Sequence, residues 1–107
     1  MGPRDAPTAL LPYLARVTRE ARVNAGRKRA HIAVYVVKRG GGEGVADSTI
    51  SRFEHGHYWP EDVDAMVQAY ARAVGCHPFD LYSRALQAWA DDLERPPPVS
   101  PFDAGGL

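Results

Sequence analysis

Cys76 is the only cysteine among 107 residues, so no intrachain disulfide can staple the chain and nothing points to an oxidising compartment. No apolar stretch approaches the roughly 20 residues that cross a bilayer. Pro3, Arg4 and Asp5 stand where a secretory signal would need an apolar core. These shortages exclude a disulfide scaffold and a membrane span, and lead us to expect a soluble, cytoplasmic protein. The length allows one domain with one core, too little for a catalytic domain plus a regulatory one.

Net charge is also missing: 13 basic side chains balance 13 acidic ones. A neutral chain normally argues against a polyanionic partner, but here the charges are sorted. Residues 1–52 hold ten basic and four acidic side chains, a net +6, and the remainder holds three against nine, a net −6. Such a dipolar molecule can orient on a polyanion despite its overall neutrality.

Catalytic and cofactor signatures are absent as well. Gly40–Gly44 lacks the Gly-Lys-Ser/Thr ending of a phosphate-binding loop and does not match a dinucleotide fingerprint. His55, His57, Cys76 and His77 show no Cys-x-x-Cys or His-x-x-x-His spacing, and His77 before Pro78 suits a helix cap better than a metal. No nucleophile, base and orienting group stand out. We therefore expect no enzyme, no cofactor and no metal.

What is present is helical periodicity. Leu10, Leu14, Val17, Ala21 and Ala25 predict a first helix over 10–25, after a loose start at 1–9, with Pro12 in its first turn and Gly26 as its stop. The run 31–37 is ambiguous. Its β-branched residues favour a strand, whereas Ile32, Ala33, Val36 and Val37 form a helical stripe, and the glycine connector and helix downstream tip the balance to a helix from Arg29 to Arg39. Gly40–Gly44 forms that connector before a helix over 47–55, in which Ile50 and Phe53 face one way and Ser48, Ser51, Arg52 and His55 the other. His57–Pro60 is a loop whose aromatics cap the core. A fourth helix occupies 61–74, with apolar face Val63, Met66, Val67, Tyr70, Ala73 and Val74 and stop Gly75. A fifth starts at Pro78, with Phe79, Tyr82, Leu86, Trp89 and Leu93 recurring. Residues 96–107, rich in proline and glycine, read as a disordered tail. The expected class is an all-α bundle of five helices with a long C-terminal one.

Arg22, Gly26, Ile32-Ala33, Ile50-Ser51 and Glu54-His55-Gly56 together resemble the phage repressor and Cro type of helix-turn-helix, the XRE-like DNA-binding family, over roughly residues 10–82. The resemblance implies a lambda-repressor-like fold in which residues 47–55 are a recognition helix for the major groove. It also implies an orienting ion pair between Arg22 and Glu54, and a small Ala33 where two helices cross. Base contacts would come from Asp47, Ser48, Ser51 and Arg52. The fork of Arg52 suits guanine O6 and N7. Phosphate contacts would come from the cluster Arg27, Lys28 and Arg29, with Lys38 and Arg39 adding to it and His55 touching the backbone. The expected function is a sequence-specific double-stranded DNA-binding transcriptional regulator, a repressor of phage or bacterial type, acting as a homodimer.

Two features depart from the family pattern. The turn between the motif helices is several residues longer and holds four glycines, which reads as surface padding, a finger toward phosphate, or a sign that 31–37 is a strand. Ala46 replaces the expected capping residue, leaving Asp47 as the alternative cap. Tyr82, Leu86, Trp89 and Leu93 form a stripe that is either a dimer surface or ordinary core. The rival function is an antitoxin or protein-interaction adaptor that keeps the helix-turn-helix shape and holds a protein partner through the fifth helix or the tail.

Overall fold

The computed structural model describes residues 5–37, 42 and 44–94. Within them the chain is all-helical: α1 (Asp5–Asn24), α2 (Arg29–Ala33), α3 (Asp47–Glu54), α4 (Val63–Val74) and α5 (Pro78–Glu94). Lys38, Arg39, Gly40, Gly41, Glu43 and the tail 96–107 lie outside the described residues, as do residues 1–4 of the expected loose start. No described helix is long and apolar enough to cross a membrane.

One core joins all five helices. Leu14 of α1, Ile32 of α2, Ile50 and Phe53 of α3, Met66, Val67 and Tyr70 of α4, and Leu81 of α5 are fully buried in it. α1 packs on α4, α5 and α3, while α2 lies against α3 and α4. The α1 stripe buries Leu10, Leu14, Val17 and Ala21 as the periodicity predicts, but Ala25 is exposed beyond the helix end.

Three boundaries and one cap differ from expectation. α1 begins at Asp5, not residue 10, so Pro12 is interior to the helix. Proline there removes the N–H that the Thr8 carbonyl would have received, and Pro12 is exposed, where water can replace that bond. α4 begins at Val63, with Asp62 as its N-cap accepting from the Ala65 N–H at 3.0 Å. α3 begins at Asp47 as expected, but Asp47 is not its cap. Ala46 is the N-cap without a side-chain bond, and Asp47 sits in the first turn, where its charge favours the helix dipole.

The fourth difference concerns α2, which stops at Ala33 rather than running to Arg39. Its next carbonyls are claimed by the far side of the connector: Val45 N–H donates to Ala33 O at 3.0 Å and Gly44 N–H to Val36 O at 2.7 Å. These two bonds close the base of the glycine-rich connector, and they settle the ambiguity of 31–37 as a short helix leading into a non-helical return. Val36 stays in the core, whereas Val37 is exposed.

α5 gives only a narrow side to the core. Leu81 and Ala85 are its buried residues, and Tyr82 and Trp89 are only partly buried against the core. Phe79, Leu86 and Leu93 are 67, 50 and 72% exposed.

Two glycines set where the key helices end. After α1, Gly26 at φ +69° lets its own N–H bond Val23 O and the Arg27 N–H bond Arg22 O, both at 3.0 Å. After α3, Gly56 at φ +75° does the same, with Gly56 N–H to Phe53 O at 3.0 Å and His57 N–H to Arg52 O at 2.8 Å. This is the paired closure of a helix by a left-handed residue. A Cβ on Gly56 would meet only the Trp59 ring, at an ordinary 3.7 Å, so the penalty of a side chain there is conformational. Gly56→Ala is expected to cost about 1 kcal/mol, read from the urea midpoint; an unchanged midpoint would show that the α3 end does not need this conformation.

Candidate nucleic-acid interface

The inner side of α3 is bolted to the scaffold by a carboxylate with three donors around it. Arg22 Nε donates to Glu54 Oε2 at 2.7 Å and Arg22 Nη2 to Glu54 Oε1 at 2.9 Å, the two parallel bonds of a fork on a carboxylate. Tyr70 Oη donates to Oε2 at 2.6 Å. The Glu54 side chain is wholly buried. Gly26 makes this geometry accessible, because the turn it closes brings Arg27 O to 3.0 Å from Arg22 Nη1, filling a further donor of the same guanidinium.

Arg29 approaches Glu54 Oε1 with its Nε at 3.5 Å. That distance is an electrostatic contact rather than a hydrogen bond, and the buried Arg29 Nε has no hydrogen-bond partner among the described residues. Glu54 thus faces two guanidiniums, which leaves the cluster with an excess positive charge.

The titration of these groups reflects their surroundings. Burial alone would raise the Glu54 carboxyl; hydrogen bonds from Arg22 and Tyr70, with the charges of Arg22 and Arg29, outweigh it and hold the group below its ordinary value. The hydrogen bond to Glu54 raises Arg22 against the opposing effect of burial, with Asp47 adding a weaker push. Burial and the bond to Glu54 push the Tyr70 phenol far up, so it remains a donor.

The outer side of α3 presents the residues singled out in the sequence. Asp47, Ser48 and Arg52 are exposed and Ser51 is half-buried. Arg52 is not free: its guanidinium carbon lies 5.5 Å from the centre of the Tyr58 ring, a cation–π stack that limits where the fork can point. His55 is exposed, and its Nδ1 lies 2.7 Å from Ser51 O. A carbonyl only accepts, so Nδ1 carries the hydrogen. Behind this face, Trp59 sets its ring edge-on to Phe53 at 6.1 Å between centroids, so the loop aromatics do cover the core.

The basic cluster is only partly available. Arg27 Nε donates to Ala73 O at 2.9 Å, at the end of α4. Lys28 is the N-cap of α2 and its side chain is exposed; its N–H donates to His31 Nδ1 at 2.9 Å. Arg29 is committed in part to Glu54. Lys38 and Arg39 lie outside the described residues.

On α5 the expected stripe divides. The Tyr82 hydroxyl donates to Asp64 Oδ1 at 2.9 Å, and burial with that bond pushes its phenol up. Leu86 and Leu93 are exposed. Phe79, seven residues before Leu86 and part of the same recurring series in the sequence, completes the exposed set. Tyr70, Arg29 and Tyr58 escape sequence reasoning in these roles because nothing in their own spacing says which carboxylate or guanidinium they meet. His77 acts as a cap, its Nδ1 accepting from Phe79 N at 3.1 Å. Among the described residues no three His, Cys, Asp or Glu side chains cluster as metal ligands.

Comparison with family models, with curated proteins and with solved structures gives no match to this chain.

Removing the Glu54 charge would strand Arg22 in the interior. Glu54→Gln is expected to cost about 3 kcal/mol in the urea midpoint at neutral pH. A carboxyl held below its ordinary 4.5 stabilises the fold above that value and loses its contribution as pH falls through the lower folded value. The wild type should therefore lose stability on acidification from about pH 5 to pH 2 more steeply than the glutamine variant; parallel curves would remove Glu54 as the source of acid sensitivity.

Proposed function

We propose that this chain is a sequence-specific double-stranded DNA-binding transcriptional regulator, a repressor of phage or bacterial type working in the cytoplasm, with α3 in the major groove. One observation carries the reading. A short helix is clamped from beneath by the buried Arg22–Glu54 pair while its outer side exposes Asp47, Ser48, Arg52 and His55. A helix held so rigidly by its inner side, with hydroxyls and a guanidinium outward, suits base edges rather than chemistry on a substrate. The resemblance to the XRE-like family points the same way, and the reading includes no catalysis.

Within it, Arg52 reads a guanine with its orientation limited by Tyr58, and Ser48 and Ser51 bond either base edge or phosphate. Asp47 accepts from a cytosine amino group. Lys28 is the freest phosphate anchor, with Arg29 adding charge behind it and Lys38, Arg39 and His55 extending the contact. Arg27, tied to the end of α4, keeps only its terminal nitrogens for phosphate.

Selection of bound sequences from a random duplex pool tests this directly. Arg52→Ala is expected to relax preference at one base pair, worth about 1–3 kcal/mol, while Lys28→Ala weakens all sequences alike and lowers the salt slope by about one unit. No enrichment by the wild type, or equal effects from both variants, would overturn the assignment.

The partner expected for α5 is a second copy of the chain. Phe79, Leu86 and Leu93 recur every seven residues, with Tyr82 and Trp89 between them, the 3.5-residue spacing of a helix–helix seam. Dimerisation there would set two α3 helices about 34 Å apart for successive major grooves. The same exposed stripe favours the second reading, an antitoxin or adaptor gripping another protein. Leu86→Glu with Leu93→Glu should halve the mass found by sedimentation equilibrium; a wild-type monomer, or a dimer untouched by the change, excludes α5 as a self-contact. An adaptor would retain DNA weakly and without the slope of about −0.9 per neutralised phosphate.

A further inference from the structure

We infer that the cleft between α2 and the end of α4 binds a phosphate-class oxyanion. This cavity of about 150 Å³ is lined by Arg27, His31, Val34, Tyr35, Arg72 and Ala73. No carboxylate lines it and no α3 residue reaches it, so it is separate from the outer face of α3 and does not depend on α3 reading DNA.

Its donors are held in place by the fold. Arg27 Nε is spent on Ala73 O at 2.9 Å, which fixes the guanidinium plane and leaves both terminal nitrogens. The Arg72 guanidinium carbon stands 4.7 Å from the centre of the Tyr35 ring. No hydrogen bond or ion pair with a described residue occupies Arg72. His31 Nδ1 accepts the Lys28 N–H at 2.9 Å, so the ring hydrogen sits on Nε2 and the second nitrogen is a donor. Tyr35 lines the cleft beside them. Beyond the Tyr35–Arg72 stack lies a separate groove bearing Asp62 and Asp64, but neither forms an ion pair with Arg72. Asp62 caps α4, and Asp64 accepts from Gln68 and Tyr82.

Two guanidiniums lining one small cleft without a carboxylate repel each other, and no carboxylate of the described residues pairs with either of them to relieve this. A phosphate does so. Its oxygens accept from planar forks on two sides and from the imidazole N–H, the donor set that guanidinium-rich phosphate sites use. The phosphate belongs either to a free small molecule or to a duplex backbone flanking the segment under α3; the chemistry at the cleft is the same.

The full chain titrated with inorganic phosphate, at ionic strength held constant with sodium chloride, tests the site by amide NMR. Saturable shifts are expected around His31, Tyr35 and Arg72. Arg72→Gln should weaken phosphate about tenfold or more, the loss of a charged donor, without altering the melting temperature. His31→Asp keeps an acceptor for the Lys28 N–H but puts a carboxylate in the cleft, and should abolish binding. Shifts that do not saturate, shifts reproduced by chloride alone, or undiminished phosphate binding in either variant would overturn the inference. Duplex binding then separates the sources. If Arg72→Gln also weakens duplex, the site takes a backbone phosphate; if duplex affinity holds, it takes a free one, and either result upholds the cleft. A wild type that binds phosphate but no duplex upholds the cleft while removing the proposed function.

Discussion

The buried fork between Arg22 and Glu54 is the contact on which the placement of α3 depends. It joins the last turn of α1 to the last residue of α3, two elements 32 residues apart in the chain. A buried ion pair seldom adds much net stability, because desolvating both charges offsets most of their attraction. What it supplies is direction. Two parallel bonds fix the angle of the helix, Tyr70 pins the same carboxylate from α4, and any rotation of α3 would break three charge-assisted bonds together. Ile50 and Phe53 could pack in several orientations on an apolar surface; Glu54 cannot.

Around this clamp the protein separates its charges. Arg22, Arg27, Lys28 and Arg29 gather at the junction of α1 and α2, while Asp62, Asp64, Asp80, Asp91 and Glu94 belong to α4 and α5 or their caps. Overall neutrality conceals this segregation. Several of the described cations are nevertheless partnered: Arg22 and Arg29 by Glu54, Arg27 by Ala73 O, Arg52 and Arg72 by tyrosine rings. Pinning a guanidinium while leaving some of its N–H groups open reduces the entropy it would lose on meeting an anion.

Much of this is legible in the sequence, and the failures have physical causes. The all-helical class, the stops at Gly26, Gly56 and Gly75, and the inward Ile50 and Phe53 come from spacing and from the conformational freedom of glycine. The pairing of Arg22 with Glu54 comes from family resemblance, not from the residues' own chemistry, since no periodicity links positions in different helices. Periodicity overestimates the length of α2 because Val36 and Val37 keep a helical stripe; the competing backbone bonds from Gly44 and Val45 are long-range and leave no local signature. In α5 spacing leaves open whether the apolar stripe is core or free surface. The structure divides it: Leu81 and Ala85 fill the core against α1 and α4, Tyr82 and Trp89 are partly buried, and Leu86 and Leu93 are exposed. The cleft around Arg72 is invisible in the sequence, as it depends on α2 ending where it does.

The central claim is that the clamp turns α3 so that its polar side meets a duplex. Titration of the isotope-labelled chain with duplexes recovered from a random pool, tracked residue by residue through amide shifts, tests it most directly. The account predicts the largest changes at Ser48, Ser51, Arg52 and His55, with Lys28 beside them and α5 unaffected apart from self-association. Changes gathered on α5, with the α3 amides left where they were, would contradict it.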